Sequence, residues 1–160
     1  MNDNRQAEEK QFVEEVGIVF EQTGLPRMAG RILGWLLIVD PPHQSTDELA
    51  DALIASKGSI STVTRLLIQI GLIERLSLPG VRHGYFRIKP GASHQLLKDS
   101  LDQTTAFRQL LERGLELLGG KAHTNRQSLE EMHDLYAFLE REFPALLERW
   151  EQEHKEASYK

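Results

Sequence analysis

The fold is decided by residues 45–91, which read STDELADALIASKGSISTVTRLLIQIGLIERLSLPGVRHGYFRIKPG. Ser45 and Glu48 have the spacing of a capping box, in which a hydroxyl accepts a helix N–H and the glutamate bonds back to the N-cap. Ser56 offers a second N-cap, and Gly71 is a typical helix-ending glycine. The sequence therefore predicts two short helices joined by a tight turn. Their inward positions are Leu49, Ala50, Leu53 and Ile54 in the first helix, and Ile60, Val63, Leu67 and Ile70 in the second.

A β-hairpin is predicted after the two helices. Residues 72–78 have the roughly alternating pattern of a strand, a Pro-Gly turn dipeptide stands at 79–80, and residues 85–88 form the returning strand. The intervening tip is basic, and a second Pro-Gly pair at 90–91 closes the hairpin. Helix, turn, helix and basic-tipped hairpin in this order predict a winged helix-turn-helix domain.

Amphipathic helices flank this domain on both sides. Upstream, apolar residues three and four apart predict one helix over 4–23 and another from Pro26 to about Asp40. Downstream, helices are predicted over 93–118 and about 128–154, with a kink in the last one at Pro144. The apolar side of the first helix comprises Phe12, Val13, Val16, Val19 and Phe20.

The last helix carries a long apolar seam at successive a and d positions. The seam comprises Leu129, Met132, Tyr136, Leu139, Phe143, Leu146 and Trp150. It is too long for one small winged domain to cover, so we expect a homodimer formed by this helix with help from the first one. The predicted fold is mainly α with a small β-hairpin wing: an N-terminal helix that supports dimerisation over 1–24, the winged helix-turn-helix over 25–91, and a helical dimerisation region over 92–160.

Length and composition limit the class of protein. The chain has 160 residues, 40% of them apolar and 27% charged, which suits one soluble domain with a helical extension. The longest apolar stretch, residues 32–39, is too short to cross a bilayer, and the N-terminus lacks the apolar core of a signal peptide. Cysteine is absent from the sequence. We therefore expect a cytoplasmic protein without membrane contact, disulfides or Cys-ligated zinc.

Charge is distributed unevenly along the chain. The net charge is −5, which by itself disfavours a nucleic-acid partner. Residues 56–91, however, set one acid, Glu74, against a group of basic residues, and the rest of the chain is correspondingly acidic. The basic residues are Lys57, Arg65, Arg75, Arg82, Arg87 and Lys89. This pattern indicates a basic face on the helix-turn-helix segment.

The second helix of this segment has an outer face of short hydroxyls between long cations. Once the core positions are removed, that face comprises Lys57, Ser59, Ser61, Thr62, Arg65 and Gln69. Small polar side chains let a helix enter a major groove, where arginine can bridge guanine O6 and N7. Lys57 opposes the helix dipole, so a partner anion is expected there. Arg82 and His83 at the hairpin tip are predicted to reach phosphates or the minor groove. Double-stranded DNA fits this chemistry; an ordinary solvated helix face is the alternative.

Four segments resemble the GbsR branch of the MarR-type winged-helix transcription regulators. They read GLPRMAGRILGWLLIVDPP, STDELADALIASKGSISTVTRLLIQIGLIERL, LPGVRHGYFRI and LEEMHDLYAFLEREFPALLERW, and together span nearly the whole chain. The resemblance implies a homodimer with interlocked terminal helices whose two winged domains bind a pseudo-palindromic operator. It leaves open a small-molecule effector of unknown identity. Where the family's wing tip commonly reads Pro-Gly-(Asp/Asn)-Arg, this chain has the apolar Val81 before Arg82.

Two other classes of function stay open at this point. A winged-helix module for protein interaction, without DNA affinity, should expose apolar anchors on the second helix, where this sequence has polar residues. An enzyme would need a nucleophile motif, a metal set or a cofactor loop. The histidines, at positions 43, 83, 94, 123, 133 and 154, lack the spacing of a metal-binding helix. We therefore expect a transcription regulator with no catalytic site, metal or cofactor.

Overall fold

The computed structural model describes residues 2–80, 84–120 and 124–158. In these ranges the helices and strands are, in order, α1 (Asn2–Gln22), α2 (Arg27–Ile38), β1 (Gln44–Ser45), α3 (Thr46–Leu53), α4 (Lys57–Gln69), β2 (Ile73–Ser77), β3 (Gly84–Ile88), α5 (Ala92–Leu118) and α6 (Arg126–Ser158). The chain divides into two compact units, an N-terminal unit up to Gln95 and a C-terminal unit from Leu96. The predicted fold class, mainly helical with a small antiparallel sheet, is confirmed.

The N-terminal unit has one continuous apolar core. Its buried side chains come from α1 to α4 and from the two strands of the hairpin: Val13, Ala29, Ile32, Leu33, Leu36, Leu49, Ala50, Leu53, Ile60, Val63, Leu67, Ile73 and Phe86. The predicted inward positions of α3 and α4 are confirmed except for Ile54, which is exposed, and Ile70, which is half-buried. This core holds the helix-turn-helix from behind.

Helices α1 and α2 approach each other closely at Gly30. A Cβ at this position would lie 2.5 Å from the Val16 carbonyl oxygen and 2.7 Å from the Gly17 Cα, so only glycine fits without moving a backbone. The close approach decides which side of α1 is covered. Val13 is buried, whereas Phe12 and Val19, predicted to share its apolar face, are exposed because they lie beside the contact line.

The sheet has three antiparallel strands in the order β1-β3-β2. In the hairpin, Ile73 pairs with Ile88 and Ser77 with Gly84. On the other side of β3, Ser45 of β1 pairs with Tyr85. The sequence predicted the hairpin but not β1, because a strand of two residues has no alternating pattern to detect.

In the C-terminal unit, α5 and α6 form an antiparallel helical hairpin. The Phe107 and Tyr136 rings meet edge to face with their centroids 4.8 Å apart, and Arg108 of α5 forms an ion pair with Glu140 of α6. Among the described residues of this unit, Leu111 is the one apolar side chain that is buried, at 6% exposure. Helix α6 continues through Pro144. The hairpin is therefore held by contacts between two helices and has almost no interior.

Candidate nucleic-acid interface

Side chains fix the N-termini of both helices of the helix-turn-helix. The Ser45 Oγ accepts a hydrogen bond from the Glu48 N–H at 3.2 Å, and the Glu48 Oε2 accepts one from the Ser45 N–H at 2.7 Å, which confirms the predicted capping box. The Ser56 Oγ accepts a hydrogen bond from the Ser59 N–H at 3.1 Å, which confirms the N-cap of α4. The two starts are therefore specified by short-range sequence alone.

The turn between α3 and α4 contains a residue that the sequence placed wrongly. Ile54 was expected to face inward, but it has φ of 52° and is 85% exposed. A left-handed conformation lets its N–H bond to the Ala50 and Asp51 carbonyls while the chain reverses, and it rotates the side chain out of the helical register. A β-branched residue is unusual at positive φ. Ile54 is thus an exposed residue at a sharp corner between α3 and α4, and it does not belong to the core.

Arg31 of α2 binds the end of α3, next to this corner. Its Nη2 donates a hydrogen bond to the Leu53 carbonyl oxygen at 2.8 Å, and its Nε lies 2.6 Å from Glu14 Oε1 on α1. The guanidinium therefore joins α1 to the C-terminal end of α3. Sequence reasoning missed this residue because its two partners lie far from it along the chain, outside any helical spacing.

The inner side of α4 is fully packed. Ile60 and Leu67 have no exposed surface, Val63 is buried, and Thr64 is buried with its hydroxyl donating to the Ile60 carbonyl oxygen at 2.8 Å. The buried polar group is thus satisfied within the helix. These contacts orient α4 about its own axis.

The outer side of α4 is polar, as predicted. Lys57, Ser61, Thr62, Arg65 and Gln69 are exposed, and Ser59 is half-buried near the N-cap. The Arg65 Nε donates a hydrogen bond to the Ser61 carbonyl oxygen at 3.2 Å. This bond holds the arginine side chain along the surface of α4. One apolar side chain, Ile68, is partly exposed at the edge of this face. The face therefore offers hydroxyls and cations at successive turns.

Lys57 has an anionic partner within the chain. Its Nζ lies 2.9 Å from the Oδ1 of Asp47 in the first turn of α3. The hydrogen bond to Asp47 raises the pKa of Lys57 above its ordinary value, with a smaller electrostatic contribution from Asp51. The sequence analysis expected a partner anion to account for Lys57, and Asp47 supplies an anion within the chain; a contact of Lys57 with DNA stays a prediction. Sequence reasoning missed the ion pair because it joins two different helices.

The hairpin carries basic residues in defined positions. Arg87 forms an ion pair with Glu74 across β2 and β3, with its Nη2 2.6 Å from the Glu74 Oε1. The Arg75 guanidinium lies 5.5 Å from the centroid of the Phe86 ring. The predicted tip residues Arg82 and His83, together with Val81, lie outside the described residues. Of the contacts predicted on α4, Lys57, Ser61, Thr62, Arg65 and Gln69 are exposed on one side, whereas Ser59, two residues from Lys57, lies on the other side of the helix and is half-buried.

The predicted seam of α6 is partly covered by the same chain. Leu129 packs over Gly114 of α5, where an added Cβ would lie 3.2 Å from the Leu129 Cδ2, and the Tyr136 ring meets that of Phe107. Leu129, Tyr136, Leu139 and Phe143 are half-buried, whereas Met132, Leu146 and Trp150 are exposed. Helix α5 thus takes a share of the seam that the sequence analysis gave entirely to a second copy.

Residues 2–80, 84–120 and 124–158 hold no group of three or more His, Cys, Asp or Glu side chains arranged to bind a metal ion. Over that part of the chain, no helix has both the length and the apolar character needed to span a membrane.

A polar-faced α4, an anchored turn and a hairpin beside it define a winged helix-turn-helix protein. The family described as "MmpR5-like MarR family transcriptional regulator" matches residues 91–153. The HTH-type transcriptional regulator MmpR5 of Mycobacterium tuberculosis (strain ATCC 25618 / H37Rv) is 44% identical over 142 residues, which cover 89% of this chain and 86% of that protein. A solved structure of a transcriptional regulator has 43% sequence identity and a TM-score of 0.74, covering 91% of this chain and 99% of that chain.

The chain therefore belongs to the MarR family of transcriptional regulators, in its MmpR5-like group. The MarR-type resemblance noted in the sequence is confirmed at this level. The GbsR branch stays a prediction from the sequence motifs.

Proposed function

We propose that the chain is a sequence-specific DNA-binding regulator that acts as a homodimer on a pseudo-palindromic operator. The observation that carries this proposal is the division of α4 into a fully packed inner side and a polar outer side. Family membership supports it, because the chain belongs to transcriptional regulators. The alternative, a protein-interaction module, is disfavoured because Ile68 at the edge is the one large apolar side chain that α4 exposes in the described structure.

In this proposal, α4 enters the major groove with its outer face toward the bases. Ser61 and Thr62 are short, so the helix can approach closely, and Arg65 is long enough to reach a guanine edge or a phosphate. The bond from the Arg65 Nε to the Ser61 carbonyl directs the guanidinium along the helix and leaves its terminal nitrogens for DNA. Arg82 and His83 are assigned, from the sequence, to phosphate or minor-groove contacts at the hairpin tip.

The homodimer is supported by the surface of the C-terminal unit. Besides Met132, Leu146 and Trp150, the exposed apolar side chains of this unit include Leu97, Leu110, Leu117, Leu135 and Phe138. Patches of this kind mark interfaces in soluble proteins. A second copy related by a two-fold axis would cover them and set the two α4 helices about 34 Å apart, one turn of B-DNA.

An effector, a cytoplasmic location and the GbsR branch remain predictions from the sequence. For the effector, the N-terminal unit has a cavity of about 490 Å³ between α1, α2 and α3. Its wall includes Val13, Arg31, Trp35, Leu53 and Ile54. Small-molecule sites commonly have this size. Six of the cavity's eleven lining residues are polar or charged: Gln6, Glu9, Lys10, Glu14, Arg31 and Asp51.

The decisive experiment measures DNA binding with the purified full chain. Capture of genomic fragments identifies an operator, and binding curves are then recorded on it and on a scrambled duplex at one salt concentration. Arg65→Ala should cost about 1–3 kcal/mol of binding free energy on the operator and much less on the scrambled duplex, because it removes a contact to a base edge. Thr62→Ala should act in the same direction.

Arg141→Ala is the matched control, since Arg141 is an exposed arginine of α6 that forms an ion pair with the neighbouring Glu142. It should leave both affinities unchanged. Equal losses on the two duplexes with Arg65→Ala would remove base reading from α4. Failure of the wild-type chain to retain any fragment would instead overturn the DNA-binding function itself.

A further inference from the structure

The pairing of Asp47 with Lys57 has a consequence for how α4 reads DNA. Both side chains are largely exposed, 65% and 70% respectively, and both lie in the first turn of their helices. The Asp47 carboxylate is not needed for capping, because Ser45 and Glu48 complete the capping box of α3. Its hydrogen bond is therefore directed to α4.

The ion pair changes what Lys57 can offer to a polyanion. An unpaired lysine beside DNA is a mobile point charge that binds any phosphate and releases a counterion. Paired with Asp47, the ammonium belongs to a group without net charge, so its attraction for phosphates in general is reduced. Two of its three N–H groups remain to donate, and the bond to Asp47 holds the ammonium beside the first turn of α3. The ion pair thus lowers the net charge that Lys57 presents to DNA and restricts where its ammonium group lies.

We propose that Asp47 is a specificity-determining residue, which positions Lys57 as a directed hydrogen-bond donor and withholds its charge from non-specific DNA. This inference rests on the proposed DNA-binding function. Asp47 does not itself contact a base in this arrangement; it acts through Lys57. Exposed ion pairs contribute about 0–1 kcal/mol to stability, so the effect of Asp47 on folding is slight. Its effect on a nearby polyanion comes from its charge, which offsets that of Lys57.

Asp47→Asn tests this proposal, because it keeps the size of the side chain and frees the charge of Lys57. Affinity for a scrambled duplex should rise about tenfold or more for the dimer near 0.1 M salt, while affinity for the operator should change much less. The slope of log K against log salt on the scrambled duplex should steepen by about 0.9 for each further phosphate that the protein neutralises, and a dimer should neutralise about two. The ratio of operator to non-specific affinity therefore falls.

Asp51→Asn is the matched control. Asp51 lies on the same helix and its substitution removes the same charge, but its influence on Lys57 is electrostatic only. It should raise the affinity for the scrambled duplex much less than Asp47→Asn does. Lys57→Met completes a double-mutant cycle, and in that background Asp47→Asn should have no more effect than Asp51→Asn. Melting temperatures of all variants verify that the fold is retained.

Two results would overturn the role of Asp47. Equal increases in affinity from Asp47→Asn and Asp51→Asn would show that Asp47 acts only as one surface charge among others. Equal changes in affinity for the operator and the scrambled duplex would show that Asp47 does not determine specificity. The proposed function fails separately, if the wild-type chain itself binds no duplex or binds both duplexes equally.

Discussion

The two units of this chain reach stability by different routes. The N-terminal unit buries side chains from four helices and two strands in one core within a single copy, while Phe12, Ile18 and Val19 of α1 stay exposed. The C-terminal unit is a two-helix hairpin in which, over the described residues, Leu111 alone among the apolar side chains is buried. Two helices side by side cannot enclose an interior. The difference teaches that the helix-turn-helix has a core of its own, whereas the hairpin leaves most of its apolar side chains exposed or half-buried.

The largest loss of stability is expected from a substitution at the centre of the N-terminal core. Leu67→Ala removes a fully buried side chain that holds α4 from behind, and should lower the free energy of unfolding by about 2–5 kcal/mol. Chemical denaturation followed by circular dichroism measures this. Leu37→Ala, on the exposed side of α2, should change the same quantity by no more than about 0.5 kcal/mol. Similar losses for both variants would mean that the core does not carry the unit.

The C-terminal unit should respond in its assembly. Trp150→Ala is expected to weaken the proposed homodimer by about 2 kcal/mol or more, because large aromatic side chains contribute most at interfaces. Sedimentation over a concentration series gives the dissociation constant, which should rise about thirtyfold or more. Glu148→Gln, at an exposed position of the same helix outside the seam, should leave it unchanged. A wild-type chain that sediments as a monomer at micromolar concentration would contradict the dimer.

The contact between α1 and α2 offers a smaller and sharper test. Gly30→Ala places a methyl group against the Val16 carbonyl and should cost about 1–3 kcal/mol of unfolding free energy as the helices separate. Gly58→Ala is its control, because the nearest atom to that Cβ is the Ser56 Oγ at 4.0 Å. That variant should be neutral or slightly more stable. If Gly30→Ala proved equally harmless, α1 would not be fixed on α2.

Local signals in the sequence were sufficient for much of the fold. Ser45, Glu48 and Ser56 act on backbone groups three residues away or fewer, so their roles as caps could be predicted and are confirmed. The helix-ending role of Gly71 was also predicted, and its φ of 80° agrees with it. The outer face of α4 followed from subtracting core positions at helical spacing.

The remaining features depend on distant parts of the chain. Arg31 meets Leu53 and Glu14 only after three helices have packed, and Lys57 meets Asp47 across a turn whose shape depends on Ile54. Helical periodicity placed Ile54 inward because it assumes that the helix continues, whereas the backbone leaves the helix at that residue. Interactions of this kind have no signature in residue spacing.

Ser45 also has a consequence for the order of folding. The same residue begins α3 and pairs with Tyr85 of β3, forty positions along the chain. The two short helices and the hairpin depend on local contacts and can form early. The pairing of β1 with β3 must close a long loop, which has a large entropic cost. That pairing is therefore expected late in folding. When it forms, it fixes the start of α3 against the hairpin.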